Sequence, residues 1–497
     1  MIRFIDVTFT HSDASEPLFK GISLHFAPGW TGLVGANGSG KTTLLRIAAG
    51  DLEPDSGRIF RKGVAALCHQ RTDFRPDEWE HFRDAADAGA ARIKGVLGIL
   101  PDWWDRWDTL SHGERKRAQI AVALWQNFEM MLVDEPTNHL DAESGAMVRS
   151  ALAAYHGIGI LVSHDRDLLD NICGQIIFVE PPDVVAVSGN YTEALEQKRL
   201  AEENQRRQRQ TARDELGKLQ REASRRLAEA SRSDRRRSKR DLHRNDADGR
   251  AKLDLARVTG KDAVAGNLAR QLRGRVGQAE EKLGSIGFKK EYDLAYQIEG
   301  EKSSRDVLIR VERGRLPLGP SEWLEFPDLM VMPEDRIGVS GPNGSGKSSF
   351  IRYLLERLML PPDRFVYLPQ EIPIVEGEQL INDVRCLEPE MLGRVMSFVS
   401  CLGTRPERLL RGDMPSPGEI RKILLALGVA HKPHLIVMDE PTNHLDLPAV
   451  ELLETALKSF PGALILVSHD SRFLAELSTV RWRFTRDKQT GARIEKS

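Results

Sequence analysis

The sequence predicts an α/β fold used twice: two phosphate-loop domains, each with a mixed, mostly parallel sheet and a helical lobe, joined by a long α-helical hairpin. Three observations carry this. A strand–glycine loop–helix unit occurs near both ends of the chain, as Gly35-Ala36-Asn37-Gly38-Ser39-Gly40-Lys41-Thr42 and as Gly341-Pro342-Asn343-Gly344-Ser345-Gly346-Lys347-Ser348. Later motifs recur at one offset: 416 − 111, 439 − 134 and 469 − 164 all give 305, and 347 − 41 gives 306. Unrelated motifs would not keep a common spacing, so the chain is an internal duplication. Between the copies the composition shifts to basic, helix-period sequence.

Taken in order, the first copy opens with apolar runs at 2–9 and 21–26 that read as strands, the second followed by a Pro28-Gly29 turn. Each glycine loop fits G-x-x-x-x-G-K-[ST], in which glycines let backbone N–H groups turn toward a polyphosphate. The helix that follows offers its positive end to the same anion. Lys41 and Lys347 are expected to reach the β- and γ-phosphates, with Thr42 and Ser348 on Mg²⁺ and Thr43 and Ser349 beside them. An apolar run at 63–70 ends on Gln70, and a polar segment with Trp79, Trp103, Trp104 and Trp107 follows, the tryptophans being packing anchors of a small helical lobe. A helix opens at Ser111-His112-Gly113-Glu114. Met130-Met131-Leu132-Val133 reads as a buried strand ending in Asp134-Glu135, and the strand at 159–162 ends in Ser163-His164-Asp165. The second copy repeats the series with Gln370, Ser416-Pro417-Gly418-Glu419, Asp439-Glu440 and Ser468-His469-Asp470. Strands that end in polar residues and alternate with helices place a site at their C-terminal ends.

Length and charge bound the rest. A chain of 497 residues exceeds one ordinary core, and the expected divisions are 1–190, 191–302 and 303–497. With 71 basic against 73 acidic residues the whole chain is no basic nucleic-acid binder, so only local charge argues for such a partner. No run approaches the ~18 apolar residues of a membrane span, and the N-terminus has no signal-peptide layout. Four dispersed cysteines lack metal-ligand spacing and fit a reducing cytoplasm.

The connecting segment carries 17 Lys+Arg against 8 Asp+Glu between Lys198 and Arg244, densest from Arg235 to Arg240. Leu216, Leu219, Ala223 and Leu227 form one thin apolar stripe, and Val264, Leu268, Leu272, Val276 and Leu283 a clearer one. A break at 245–260, with Leu253, Leu255 and Val258, separates them. An antiparallel hairpin follows, with arms of about 40 residues and roughly 60 Å. Like charges repel along a helix, so the basic excess argues for a phosphate-rich partner over a plain tether.

Phosphate loop, glutamine, Ser-x-Gly-Glu, apolar-Asp-Glu, Leu-Asp and Ser-His-Asp in this order, twice, resemble the ATP-binding cassette. Two cassettes joined by a charged helical linker, with Asp134-Glu135-Pro136-Thr137-Asn138-His139-Leu140-Asp141 and its copy from Asp439 to Asp446, resemble the ABC-F subfamily. The resemblance implies an ATPase with ATP and Mg²⁺ as cofactors. Asp134 and Asp439, with Gln70 and Gln370, would serve the metal, which prefers to keep its waters. Glu135 and Glu440 would act as general bases, and His164 and His469 would bond the γ-phosphate. Ser111 with Gly113 would cover the nucleotide of Lys347, and Ser416 with Gly418 that of Lys41, so that each ATP joins the two cassettes of a monomer. Where cassettes place an adenine-stacking aromatic this chain has His11 near Phe9, with Trp323 the candidate in the second copy, and Pro415 stands where Leu is usual before Ser416.

By the same resemblance the chain is a cytoplasmic ribosome-binding factor of translation or antibiotic protection, its linker in the tRNA exit site toward the P-site tRNA, peptidyl-transferase region and rRNA. The competing expectations are the ATPase of a membrane transporter and a DNA-linked ATPase. The short 70–111 segment and the end soon after Phe484 leave little room for the arm and C-terminal coiled coil of other members.

Overall fold

The computed structural model describes residues 1–138, 140–236, 261–286, 298–319, 322–402, 416–443, 445–487 and 491–496. Two compact units emerge: Met1–Ala194 with Asp293–Ser497, and Leu195–Tyr292.

In the first unit, the described residues of the N-terminal half form strands β1 (Ile2–Phe9), β2 (Phe19–Phe26), β3 (Gly29–Val34), β4 (Ser56–Arg61), β5 (Ala65–Cys68), β6 (Met130–Asp134), β7 (Ile158–Val162), β8 (Cys173–Glu180) and β9 (Asp183–Ser188). β1 alternates buried and exposed residues and pairs antiparallel with β2 and β4. The larger sheet runs β5-β6-β7-β3-β8-β9 and is parallel except at β8/β9. Every residue of β6 and β7 is buried. A strand covered on both faces has no reason to alternate, which is why these segments read as continuous apolar runs.

The C-terminal half repeats the plan with β10 (Ile309–Val311), β11 (Gly314–Pro317), β12 (Trp323–Phe326), β13 (Leu329–Val331), β14 (Arg336–Ser340), β15 (Phe365–Leu368), β16 (Leu435–Asp439), β17 (Ala463–Val467), β18 (Val480–Asp487) and β19 (Gly491–Lys496). Its large sheet is ordered β11-β12-β19-β18-β14-β17-β16-β15, so β15-β16-β17-β14-β18-β19 matches β5-β6-β7-β3-β8-β9 strand for strand. Parallel strands that point one way bring their C-terminal ends to a single edge. The glycine loop, Gln70, Asp134 and His164 therefore meet after β3, β5, β6 and β7, and their counterparts after β14, β15, β16 and β17.

The lobe between Gln70 and Ser111 consists of helices Trp79–Asp84 and Ala88–Val96 and two 3-10 turns. Trp79, Trp103 and Trp107 are buried in it, so they pack as the sequence suggested. Cys68, Cys173 and Cys401 are buried free thiols and Cys386 is exposed.

The second unit holds most of helix Tyr191–Arg236 and helix Lys261–Ser285. Lys282 pairs with Glu215 and Gln220 bonds Glu280, both at 3.3 Å, which sets the two antiparallel. Ala212, Leu219, Leu272 and Ala279 are buried between them, so the seam is spaced by sevens and uses alanines. Leu227, assigned to the stripe from sequence, is 46% exposed. The basic run from Arg237 onward and the break at 245–260 lie outside the described residues, as do His139, His444 and Pro415. Among the described residues no helix is long and apolar enough to cross a membrane.

Candidate nucleotide site

Each glycine loop closes on a residue that must be glycine. Gly40 (φ 91°) and Gly346 (φ 87°) cap the helices Lys41–Ala49 and Lys347–Leu355 in the left-handed region. An added Cβ would also come within 2.7 Å of the Leu18 and Leu318 side chains. The lysines that follow fold back into their loops. Lys41 Nζ donates to the carbonyls of Gly35 and Ala36 at 2.8 and 3.0 Å, and Lys347 Nζ to those of Gly341 and Pro342 at 2.8 and 2.9 Å. Burial lowers the pKa of both ammonium groups, against the pull of Glu135, Asp446 and Asp134 on Lys41 and of Glu440, Asp439 and Asp141 on Lys347. An incoming polyphosphate would thus meet cations already desolvated and held by weak carbonyl acceptors. Ser345 Oγ donates to Pro342 O at 2.8 Å, while the buried Ser39 Oγ has no hydrogen-bond partner among the described residues.

Below the loops stand the carboxylates. Thr42 Oγ1 donates to Asp134 Oδ2 at 2.9 Å, and the Ser348 hydroxyl bonds the Asp439 carboxylate. Glu135 (φ 48°) and Glu440 (φ 51°) adopt the left-handed conformation that non-glycine residues avoid. Burial pushes both carboxyls up to about 8, with the neighbouring Asp134 and Asp439 adding to it. His164 Nε2 lies 3.1 Å from Glu135 Oε1, and His469 Nε2 3.3 Å from Glu440 Oε1 and 3.0 Å from Asn343 Oδ1. Burial, then the nearby lysine, pushes the imidazoles down to about 3 and about 4. At neutral pH these are neutral rings beside carboxyl groups, not ion pairs. Apart from those imidazoles, Glu135 Oε1 and Glu440 Oε1 meet no partner among the described residues, and neither does the buried Asp439 Oδ2. At each site a carboxylate oxygen thus stands near a hydroxyl, of Thr42 in the first half and Ser348 in the second, oxygen donors of the kind a hard divalent cation and its water take.

Both halves open on one cavity of about 1540 Å³, beyond the roughly 300–1,000 Å³ of a single small-molecule site. Its wall includes Asn37, Gly38, Gly40, Lys41, Thr42, Thr43, Gln70, Asp134, Glu135 and His164, and Asn343, Gly344, Gly346, Lys347, Ser348, Ser349, Gln370, Asp439, Glu440 and His469. Gly35, Ala36, Ser39, Gly341, Pro342 and Ser345 do not line it. Ser416 and Gly418 reach the wall, whereas Ser111 and Gly113 do not. Ser111 and Ser416 each close a capping box, with Glu114 and Glu419. His11 lines the cavity, 3.4 Å from Thr43 Oγ1, with the buried Phe9 edge-on at 5.1 Å. Trp323 does not line it; Leu318 and Glu322 do.

The halves cross-link at this edge. Asp446 accepts from Asn37 N–H at 2.6 Å, and Asp141 from Asn343 N–H at 3.4 Å. Sequence reading left these two aspartates without a task, although their place in the repeated Leu-Asp motif marked them. Arg166 grips Glu454 with two bonds, 2.6 and 3.1 Å, and Asp470 at 3.0 Å. At the 305-residue offset Arg166 corresponds to Ser471 and Glu454 to Arg149, so no equivalent pair can form on the other side. Of the two cross-half aspartate bonds the one beside Lys41 is the shorter, and of the two capped helix ends only that of Ser416 and Gly418 comes into the wall.

Two nucleotide loops, each faced by the other half's aspartate, are the arrangement of paired ATP-binding cassettes, and comparison with known proteins agrees. The ABC transporter family model matches residues 19–138 and 325–443. The chain is 28% identical to the ribosome protection protein VmlR of Bacillus subtilis, over 95% of this chain and 85% of that protein. It is 29% identical to the tylosin resistance ATP-binding protein TlrC of Streptomyces fradiae, over 95% of both. The chain belongs to the ATP-binding cassette family, in its ABC-F subfamily. The ABC-F chain is accordingly an ATPase, and ATP is its nucleotide. ATP-binding protein Uup of Caulobacter vibrioides is 29% identical over 94% of this chain and 75% of its own. Among solved structures, one titled RNase-L Inhibitor covers 98% of the ABC-F chain and 89% of its own, with TM-score 0.61 at 17% identity, a likeness of fold.

Proposed function

We propose that the chain is a cytoplasmic, ribosome-associated ATPase that works as a monomer, using closure of its two cassettes on ATP, and reopening on hydrolysis, to modulate translation or protect ribosomes from antibiotics. The observation that carries this reading is end-to-end similarity to a ribosome protection protein and to a tylosin resistance protein, across both cassettes and the segment between them. In this reading residues 1–190 and 303–497 are the cassettes, and 191–302 is a linker whose basic face meets rRNA while its far end approaches the P-site tRNA from the exit site.

The chemistry follows from the two composite sites. Lys41 and Lys347 exchange loop carbonyls for β- and γ-phosphate oxygens. Thr42, Asp134 and Gln70 at one site, and Ser348, Asp439 and Gln370 at the other, would hold Mg²⁺, which supplies charge neutralisation at the phosphates. Glu135 and Glu440 accept the proton of the attacking water through carboxylate oxygens whose neighbour is a neutral imidazole, and a carboxyl with pKa about 8 is a stronger base than a solvated one. His164 and His469, held neutral, donate one N–H to the γ-phosphate. Ser416 with Gly418, and Ser111 with Gly113, offer a capped helix end to the nucleotide of the opposite cassette. Asp446 and Asp141 already bridge that gap.

Co-sedimentation of purified protein with ribosomes, with membrane vesicles and with duplex DNA, at low and physiological salt, tests this. Salt-sensitive pelleting with ribosomes is expected. Pelleting with membranes or DNA alone would replace the reading with a transporter or a DNA-linked ATPase.

A further inference from the structure

The peptide that bears each buried glutamate is gripped from two sides. On one side Glu135 N–H donates to Val162 O and Glu440 N–H to Val467 O, both at 2.9 Å, which anchors each glutamate to the adjacent strand end. On the other side a buried cation reaches the carbonyls. Lys116 Nζ donates to Asp134 O at 2.9 Å and to His69 O at 2.7 Å. Arg421 Nη2 donates to Asp439 O and to Glu440 O, both at 2.9 Å.

These two cations sit on helices His112–Gln126 and Pro417–Ala430, five residues after Ser111 and Ser416. They are 2% and 5% exposed. Burying a charge is expensive, and a position that merely fills space would take an apolar side chain. The duplicated halves use different residues here, lysine in one and arginine in the other, yet both aim at the Asp–Glu peptide. The recurrence points to a requirement of that peptide, which must hold a left-handed non-glycine residue.

We propose that Lys116 and Arg421 are positioning residues for ATP hydrolysis, pinning the Asp134–Glu135 and Asp439–Glu440 peptides so that each glutamate points at the γ-phosphate side of its cavity. The proposal rests on Glu135 and Glu440 being the general bases. The grips also differ. The second bond of Lys116, to His69 O, ties the peptide before Gln70 to the same cation, so Gln70 and Glu135 are set together in the first cassette. Arg421 instead extends to Asn443 O at 3.4 Å, toward the segment that leads to Asp446. Each cation rides on the helix whose N-terminal end would face the opposite nucleotide, so closure on one ATP would adjust the base at the other site.

The test compares three double variants of the full chain: Lys116→Met with Arg421→Met, Lys116→Arg with Arg421→Lys, and Glu135→Gln with Glu440→Gln. Steady-state turnover and equilibrium affinity for a fluorescent ATP analogue are measured for each. The methionine variant is expected to lose at least about tenfold in kcat with nucleotide affinity changed by less than about threefold, because the loops that bind phosphate are untouched. The exchanged variant keeps a donor at each carbonyl and is expected to stay within about threefold of the wild type. The proposal is overturned if the methionine variant turns over within about threefold of wild type, if affinity falls in step with kcat, or if the exchanged variant is as slow as the methionine one. Should the methionine double variant not fold, Lys116→Met in the Glu440→Gln background and Arg421→Met in the Glu135→Gln background, each removing one donor and read against its parent, carry the same criteria. A dead Glu→Gln variant beside a normal methionine variant removes only the positioning role, whereas a wild-type rate for the Glu→Gln variant removes the general-base reading itself.

Discussion

Arg166 offers a direct measure of what holds the cassettes together. Its guanidinium is 9% exposed and faces Glu454, 10% exposed, and Asp470, 21% exposed. Replacing it with methionine leaves two carboxylates in a nearly dry interface with no cation between them. Deleting one partner of a buried ion pair costs about 3–5 kcal/mol. At a urea dependence of about 3 kcal/mol per molar, that moves the midpoint of the transition separating the cassettes down by about 1–2 M. Tryptophan fluorescence would follow it. A double-mutant cycle with Glu454→Gln then isolates the pair: Arg166→Met in the Glu454→Gln background should cost visibly less, giving a coupling of about 1.5–3 kcal/mol. A midpoint shift below about 0.3 M with a coupling below about 0.5 kcal/mol would show that the contact is an incidental surface pair.

Three further outcomes are expected. Exchanging Glu135 and Glu440 for glutamine should keep ATP binding and slow turnover by about 10²–10⁴-fold, measured by phosphate release, since the amide cannot accept the water's proton. In the free enzyme burial raises the Glu135 and Glu440 carboxyls to about 8. They hold their protons below that pH, so kcat/KM for ATP should climb roughly tenfold per unit from pH 6 and level off above 8; a profile flat from pH 6 to 8 would mean the base is not one of these groups. Replacing Arg235, Arg236, Arg237, Lys239 and Arg240 with glutamine should weaken ribosome binding and flatten its logarithmic salt dependence by up to about 4 units, while basal ATPase activity stays unchanged.

Much of this was legible in the sequence because phosphate loops and strand-end carboxylates are local patterns. Gly40 must be glycine, Thr42 must follow Lys41, and Asp134 ends an apolar run, so each announces itself within a few residues. The 305-residue offset then doubled every assignment. What stayed hidden depends on which way a side chain turns. Glu114-Arg115-Lys116-Arg117 reads as a solvated charge run, and nothing in it marks Lys116 as the buried member; only the matching burial of Arg421 reveals a pattern. The Arg166–Glu454 pair joins residues 288 apart whose repeat mates are Ser471 and Arg149, so duplication, which helped elsewhere, predicts no such contact. The hairpin seam uses Ala212 and Ala279, too small to stand out in a hydrophobic count. Trp323 is an aromatic near the second loop in sequence, but strand β12 carries it outside the cavity wall, which Leu318 and Glu322 line.

On the proposed function, ATP closes this chain into a ribosome-binding form and hydrolysis releases it. Sucrose-gradient sedimentation of the Glu135→Gln, Glu440→Gln variant with ribosomes, with and without ATP, tests it most directly. The variant is expected to migrate with ribosomes when ATP is present, to stay near the top without it, and to outlast wild type on the ribosome. Equal migration with and without ATP, or none in either case, would contradict the account.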